Sequence, residues 1–138
     1  MIQAVVDASV IASLFLPDEA NGKYKSLLNN IDRIKIHVPS VFEHEFMNIL
    51  LNAEKRNRLS NETAVKILEI VSRYPIVIEP STSVFIERIN VFEMAQAHDL
   101  TAYDAAYLEL AIRLNVPLIT YDKLLLNTAK KLKLKTAL

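Results

Sequence analysis

The chain reads as an α/β domain, with a parallel sheet and helices on both faces. Short β-branched runs alternate along it with longer segments of helical period. The runs are short and mainly apolar, as strands covered on both faces are. The 138 residues, 51% hydrophobic and 23% charged, suit one globular domain, residues 1–138, large enough to bury a real core. No repeat, low-complexity stretch or linker interrupts the pattern.

Strands are expected near Ile2–Val6, Ile34–Val38, Ile76–Glu79 and Pro117–Thr120, with a short last one through Leu134–Ala137. Helices are expected near Ser9–Leu16, Gly22–Asn30, Val41–Asn57, Asn61–Tyr74, Val84–His98, Ala102–Leu114 and Lys123–Lys133. The first helix carries Ile11, Leu14, Phe15 and Leu16 and stops before Pro17; the second carries Leu27 and Leu28, with Ile31 beyond it. These apolar faces exceed what one small sheet obviously needs, so they are candidate partner surfaces. Ser40 and Glu43 have the S-x-x-E spacing of a capping box, a structural job for Glu43. Phe42, Phe46, Ile49 and Ala53 then form the buried stripe of the third helix. Lys55, Arg56 and Arg58 crowd its end, where they suit the helix dipole better than they suit RNA.

Composition excludes several chemistries. Sixteen basic and sixteen acidic side chains cancel, which argues against binding nucleic acid by bulk charge alone. With no cysteine there is no thiolate nucleophile, thiolate metal site or disulfide, in keeping with a cytoplasmic protein. The lone glycine, Gly22, leaves no glycine-rich phosphate loop. No signal peptide and no apolar run of membrane-spanning length are read. His37, His44 and His98 lack ligand spacing, so they read as ordinary surface or partly buried histidines.

Four carboxylates remain. Asp7 follows the first strand and Asp122 the fourth. Each is explained equally well as the N-cap of the next helix or as a ligand at a strand end, where α/β folds bind. Glu45 lies on the flank of the third helix's buried stripe, and Asn48 and Asn52 continue a polar strip beside it. Asp104 fits a capping box with Thr101, yet it shares a helical line with Leu108 and Ala111, opposite Glu109 and Arg113. A buried carboxylate without a partner is costly, and a bound cation would remove that cost. The functional reading is therefore favoured for Glu45 and Asp104. Clustered acids of this kind should also repel one another and have raised pKa values.

Four stretches now carry a family resemblance: Val5-Val6-Asp7-Ala8-Ser9-Val10, Glu45-Phe46-Met47-Asn48-Ile49-Leu50, Leu100 to Ala111, and Leu118-Ile119-Thr120-Tyr121-Asp122. Together they resemble the PIN-domain nucleases, above all the VapC toxins of toxin–antitoxin pairs. The resemblance implies a three-layer α/β/α fold with a central parallel sheet of about five short strands. It implies a Mg²⁺- or Mn²⁺-dependent endoribonuclease, a cognate antitoxin and a homodimer. By motif match, Asp7, Glu45, Asp104 and Asp122 are its acidic site. Ser9, Asn48 and Thr120 are accessory positions. Tyr103, Tyr107 and Tyr121 lie near enough to stack on bases, though core packing explains each as well.

The alternative within the resemblance is a PIN-like module that binds RNA or protein and cleaves little. A phospho-acceptor receiver domain would need an aspartate after the third strand, where the chain reads Val77-Ile78-Glu79-Pro80-Ser81. A haloacid-dehalogenase phosphatase would need D-x-D, where it reads Asp7-Ala8-Ser9.

Overall fold

The computed structural model describes residues 1–19, 22–80 and 88–138. Among these, β1 (Ile2–Val6), β2 (Ile34–Val38), β3 (Ile76–Ile78) and β4 (Leu118–Ile119) form a wholly parallel sheet in the order β3-β2-β1-β4. The helices are α1 (Ala8–Phe15), α2 (Lys25–Asn29), α3 (Phe42–Lys55), α4 (Asn61–Val71), α5 (Ile89–His98), α6 (Ala102–Leu114) and α7 (Lys123–Lys131). The expected start of the fifth helix, at Val84, lies outside the described residues.

From β1 the chain steps outward to β2 and β3, then returns past β1 to β4. Parallel crossovers are almost always right-handed, so the reversal puts the early and late helices on opposite faces. In agreement, α1 packs on α3 and α3 on α4, while α6 packs on α5, α7, β1 and β4. The result is the expected three-layer α/β/α architecture. The reversal also opens a crevice at the carboxyl ends of β1 and β4, the place where such sheets bind ligands. Residues 7 and 120–122 lie there.

The sheet has four described strands rather than about five. Residues 134–138 form no strand; their tie to the sheet is the Lys135 carbonyl, which accepts from the Leu118 amide at 2.9 Å. With β4 only two residues long, there is little ladder for a fifth strand to extend. The capping box at α3 is also absent. Val41 occupies the N-cap without a side-chain bond, and the Phe42 amide closes a turn onto the Pro39 carbonyl at 3.0 Å. With only one glycine available, the left-handed positions at the ends of α5 and α6 fall to Asp99 (φ 53°) and Asn115 (φ 54°), the residues that tolerate it best.

The apolar faces of α1 and α2 are core, not partner surface. Ile11, Leu14, Leu16, Leu27 and Ile31 are all buried, and Phe15 and Leu28 pack half-buried against them. Four short strands cannot enclose a core alone, so the helices complete it. Among the exposed apolar side chains are Met47 and Leu51 on α3 and Val65, Leu68 and Ile70 on α4. Arg58 reaches back to Asp18 at 2.7 and 3.0 Å and to Glu19 at 3.0 Å.

His37 is buried in β2. Its Nε2 pairs with Gln3 Oε1 at 2.8 Å, while Nδ1 has no hydrogen-bond partner and stands 3.9 Å from Glu79. Burial, helped by the Lys35 charge, lowers its pKa against the opposing pull of Glu79. The unfolded chain, with histidine near pH 6.5, therefore takes up the proton first. This contribution to stability is complete above about pH 6.5 and is lost as the pH falls below it. Urea midpoints at pH 7.5 and 5.5 should separate in the wild type more than in His37→Leu. Equal separation in both proteins would acquit His37.

Candidate active site

Asp7 follows β1 directly and is the N-cap of α1. Its Oδ1 accepts from the Ser9 amide at 3.2 Å, and its Oδ2 accepts from the Thr120 hydroxyl at 2.8 Å. The side chain is thus held from two sides at the strand end, and Asp7 is only 8% exposed. Thr120 lies just past β4 and also accepts from the Asp122 amide at 3.1 Å. Asp122 N-caps α7, accepting from the Leu125 amide at 2.8 Å. For both aspartates the cap and the cleft position coexist, because each carboxylate oxygen can take more than one partner.

Thr101 caps α6, accepting from the Asp104 amide at 3.1 Å. The first turn of α6 thereby places Asp104, half-buried, against the same crevice. Glu45 projects from the first turn of α3, half-buried, and accepts from the Tyr107 hydroxyl at 2.8 Å. One cleft of about 500 Å³ is lined by Asp7, Ser9, Glu45, Asn48, Asp104 and Asp122. Four chain segments thus converge as the family resemblance implied, with Thr120 behind Asp7. His44 and Tyr103 complete the rim. His44, read as an ordinary histidine, is a neighbour that the sequence did not single out; its place one residue before Glu45 was the available signal. Glu43 is exposed. Glu109, expected on a solvated face, is mostly covered and bonds Arg113 at 2.9 Å.

The three tyrosines separate. Tyr103 is 57% exposed. Tyr121 packs on Tyr24, ring centroids 5.0 Å apart, and its hydroxyl meets Ser13 at 3.2 Å. Tyr107 is fully buried.

Electrostatics tie the acids together. Burial raises the pKa of Asp7; the Thr120 and Ser9 hydrogen bonds oppose it, and the Asp122 charge adds to it. Burial raises Glu45 too, against the Tyr107 bond and with the charges of Asp7 and Asp104. Asp104 rises through burial and the charges of Asp122 and Asp7. Desolvation therefore outweighs the mutual repulsion that the sequence suggested as the cause. Both penalties fall on the ionised form, and both are relieved by a cation. The donors are all oxygen, the set that hard divalent ions take. Among the described residues no three of these side chains stand as a closed ligand set. Asp7 is held at the strand end, whereas Glu45 and Asp104 are on helices that line an open cleft.

The PIN domain family matches residues 4–131. Ribonuclease VapC9 of Mycobacterium tuberculosis is 32% identical over 126 residues, covering 91% of each chain. Ribonuclease VapC3 of Pyrobaculum aerophilum is 27% identical over 122 residues, covering 88% of this chain and 91% of that one. The crystal structure of PAE2754 from Pyrobaculum aerophilum shares the fold, with a TM-score of 0.70 and 23% identity over 91% of this chain and 84% of that one. The fold, the sequence match along most of its length and the likeness to VapC9 together show that the chain belongs to the PIN-domain family, among the VapC ribonucleases.

Proposed function

We propose that this protein is a Mg²⁺- or Mn²⁺-dependent endoribonuclease that hydrolyses RNA phosphodiester bonds as the toxin of a toxin–antitoxin pair. The carrying observation is the convergence of Asp7, Glu45, Asp104 and Asp122 on one cleft at the sheet's switch point, in a chain similar to named ribonucleases. Asp7, anchored by Thr120 and Ser9, would be the central ligand. Asp104, Asp122 and the free oxygen of Glu45 would complete the oxygen set or orient the attacking water. Thr120 and Ser9 hold Asp7 in place, and Asn48 offers an amide to the substrate side. When bound, the cation supplies an acidified water and neutralises charge on the phosphate.

Cleavage of RNA should require added Mg²⁺ or Mn²⁺ and stop with a chelator. Glu45→Gln should lose activity, while Glu43→Gln and Glu109→Gln stay within a few-fold of wild type. If Glu43→Gln silences the enzyme and Glu45→Gln does not, the assignment on α3 is wrong. RNA binding with no cleavage across a full metal titration would favour the weakly catalytic module.

A cognate antitoxin would cover the cleft. The exposed apolar strip of α3 and α4 suits anchoring side chains, and a basic group could enter among the carboxylates. Anchor burial would supply most of the affinity. Ligands sharing a site oppose one another by linkage. Antitoxin affinity by calorimetry should therefore fall progressively as Mn²⁺ is raised above its own Kd. Equal affinity with the metal bound would point to steric cover alone. Homodimer assembly belongs to the same proposal and is checked by light scattering.

No helix among the described residues is long and apolar enough to cross a membrane.

A further inference from the structure

We propose that Tyr107 is a positioning residue of this cleft: its buried hydroxyl holds one oxygen of Glu45 and leaves the other for the cation. The inference rests on the metal-dependent reading above.

Tyr107 sits one turn after Asp104 on α6 and is fully buried. Its hydroxyl donates to Glu45 Oε1 at 2.8 Å, joining α6 to α3 across 62 residues of sequence. One turn of α6 thus contributes a carboxylate of its own and clamps another. Glutamate is the longest and most rotatable of the four acid side chains, and Glu45 stands on a helix flank rather than at a strand end. Asp7 has Thr120 and Ser9 to hold it, and Asp122 has the α7 amide. Tyr107 is the corresponding fixture for Glu45. A hydroxyl bonded to a carboxylate is charge-assisted and directional. A phenol keeps its proton at neutral pH, so the hydroxyl donates. Neither Tyr103, on the exposed rim, nor Tyr121, bonded to Ser13, can do this.

The simpler role is a staple between α3 and α6, and the two differ in what Tyr107→Phe changes. A staple alters the metal-free melt only. A positioning residue alters Mn²⁺ affinity. Loss of a partner that orients a metal ligand typically costs about 10–100-fold in affinity, and that loss is expected by calorimetry for Tyr107→Phe. In a Glu45→Ala background the hydroxyl has nothing to hold, so adding Tyr107→Phe should change the Kd by less than about twofold. Wild-type affinity in Tyr107→Phe overturns the proposal. So does an equally large further loss in the Glu45→Ala background, which would route the effect elsewhere. Should Tyr107→Phe fail to fold, Glu45→Asp answers the same question. It keeps the charge but is one methylene too short to reach the hydroxyl, and it should lose affinity to a similar degree; unchanged affinity overturns the idea. A wild-type protein that binds no Mn²⁺ would instead sink the metal reading itself, and this inference with it.

Discussion

Asp7→Asn is expected to abolish metal-dependent RNA cleavage and leave the fold standing. Asparagine N-caps as well as aspartate, so the bond to the Ser9 amide survives. Its amide matches the carboxylate in shape and can still bond the Thr120 hydroxyl. What disappears is the charge of the central ligand. Losing a ligand should exceed the roughly 10–100-fold cost of losing a group that only orients one. Stability moves the other way. Burial holds the Asp7 pKa above its ordinary value, so at neutral pH its ionised form works against folding. That contribution becomes less unfavourable as the pH falls through the raised value. The metal-free melting temperature of Asp7→Asn should therefore equal or exceed that of wild type. Asp104→Asn should behave alike, since burial and the charges of Asp122 and Asp7 raise it too. Cleavage within tenfold of wild type in Asp7→Asn would remove it from the centre of the site. A collapsed melt would show that the fold itself depends on the Asp7 charge, since asparagine keeps the cap.

Metal should stabilise the wild type strongly. A cation that binds only the folded state adds about 2.7 kcal/mol at a hundredfold excess over its Kd. At roughly 2–4 °C per kcal/mol for chains near this size, millimolar Mn²⁺ should raise the melting temperature by about 5–10 °C. Relief of the desolvated carboxylates contributes to this gain. Asp7→Asn should show a much smaller shift, and Glu43→Gln the full one. An unchanged melt across a wide titration, with the acids intact, would count heavily against a metal site here.

The sequence was most informative where function depends on local position. Asp7 after β1 and Asp122 after β4 are legible because a strand end is a local event, marked by an apolar run and then a cap. Asp104 is legible because a carboxylate on an apolar helical line is out of place unless something binds it. Glu45 lines the cleft and Glu43 is exposed, but no capping box separates the two. The turn from Pro39 to Phe42 starts the helix through the backbone.

Alternating apolar runs and helical periods, together with the family resemblance, determined the parallel α/β/α architecture and brought the four acids to one end of the sheet. They did so because side-chain period and strand ends are properties of short stretches. Only the tertiary structure decided what covers each face. It buried the apolar sides of α1 and α2 in the core, left the last five residues outside the sheet and left the Nδ1 of the buried His37 without a hydrogen-bond partner. It also placed the Tyr107 hydroxyl on Glu45. The physical reason is the same each time. A periodicity states that a face must be covered or a polar atom satisfied; the partner is chosen by packing between segments tens of residues apart, which no local pattern encodes.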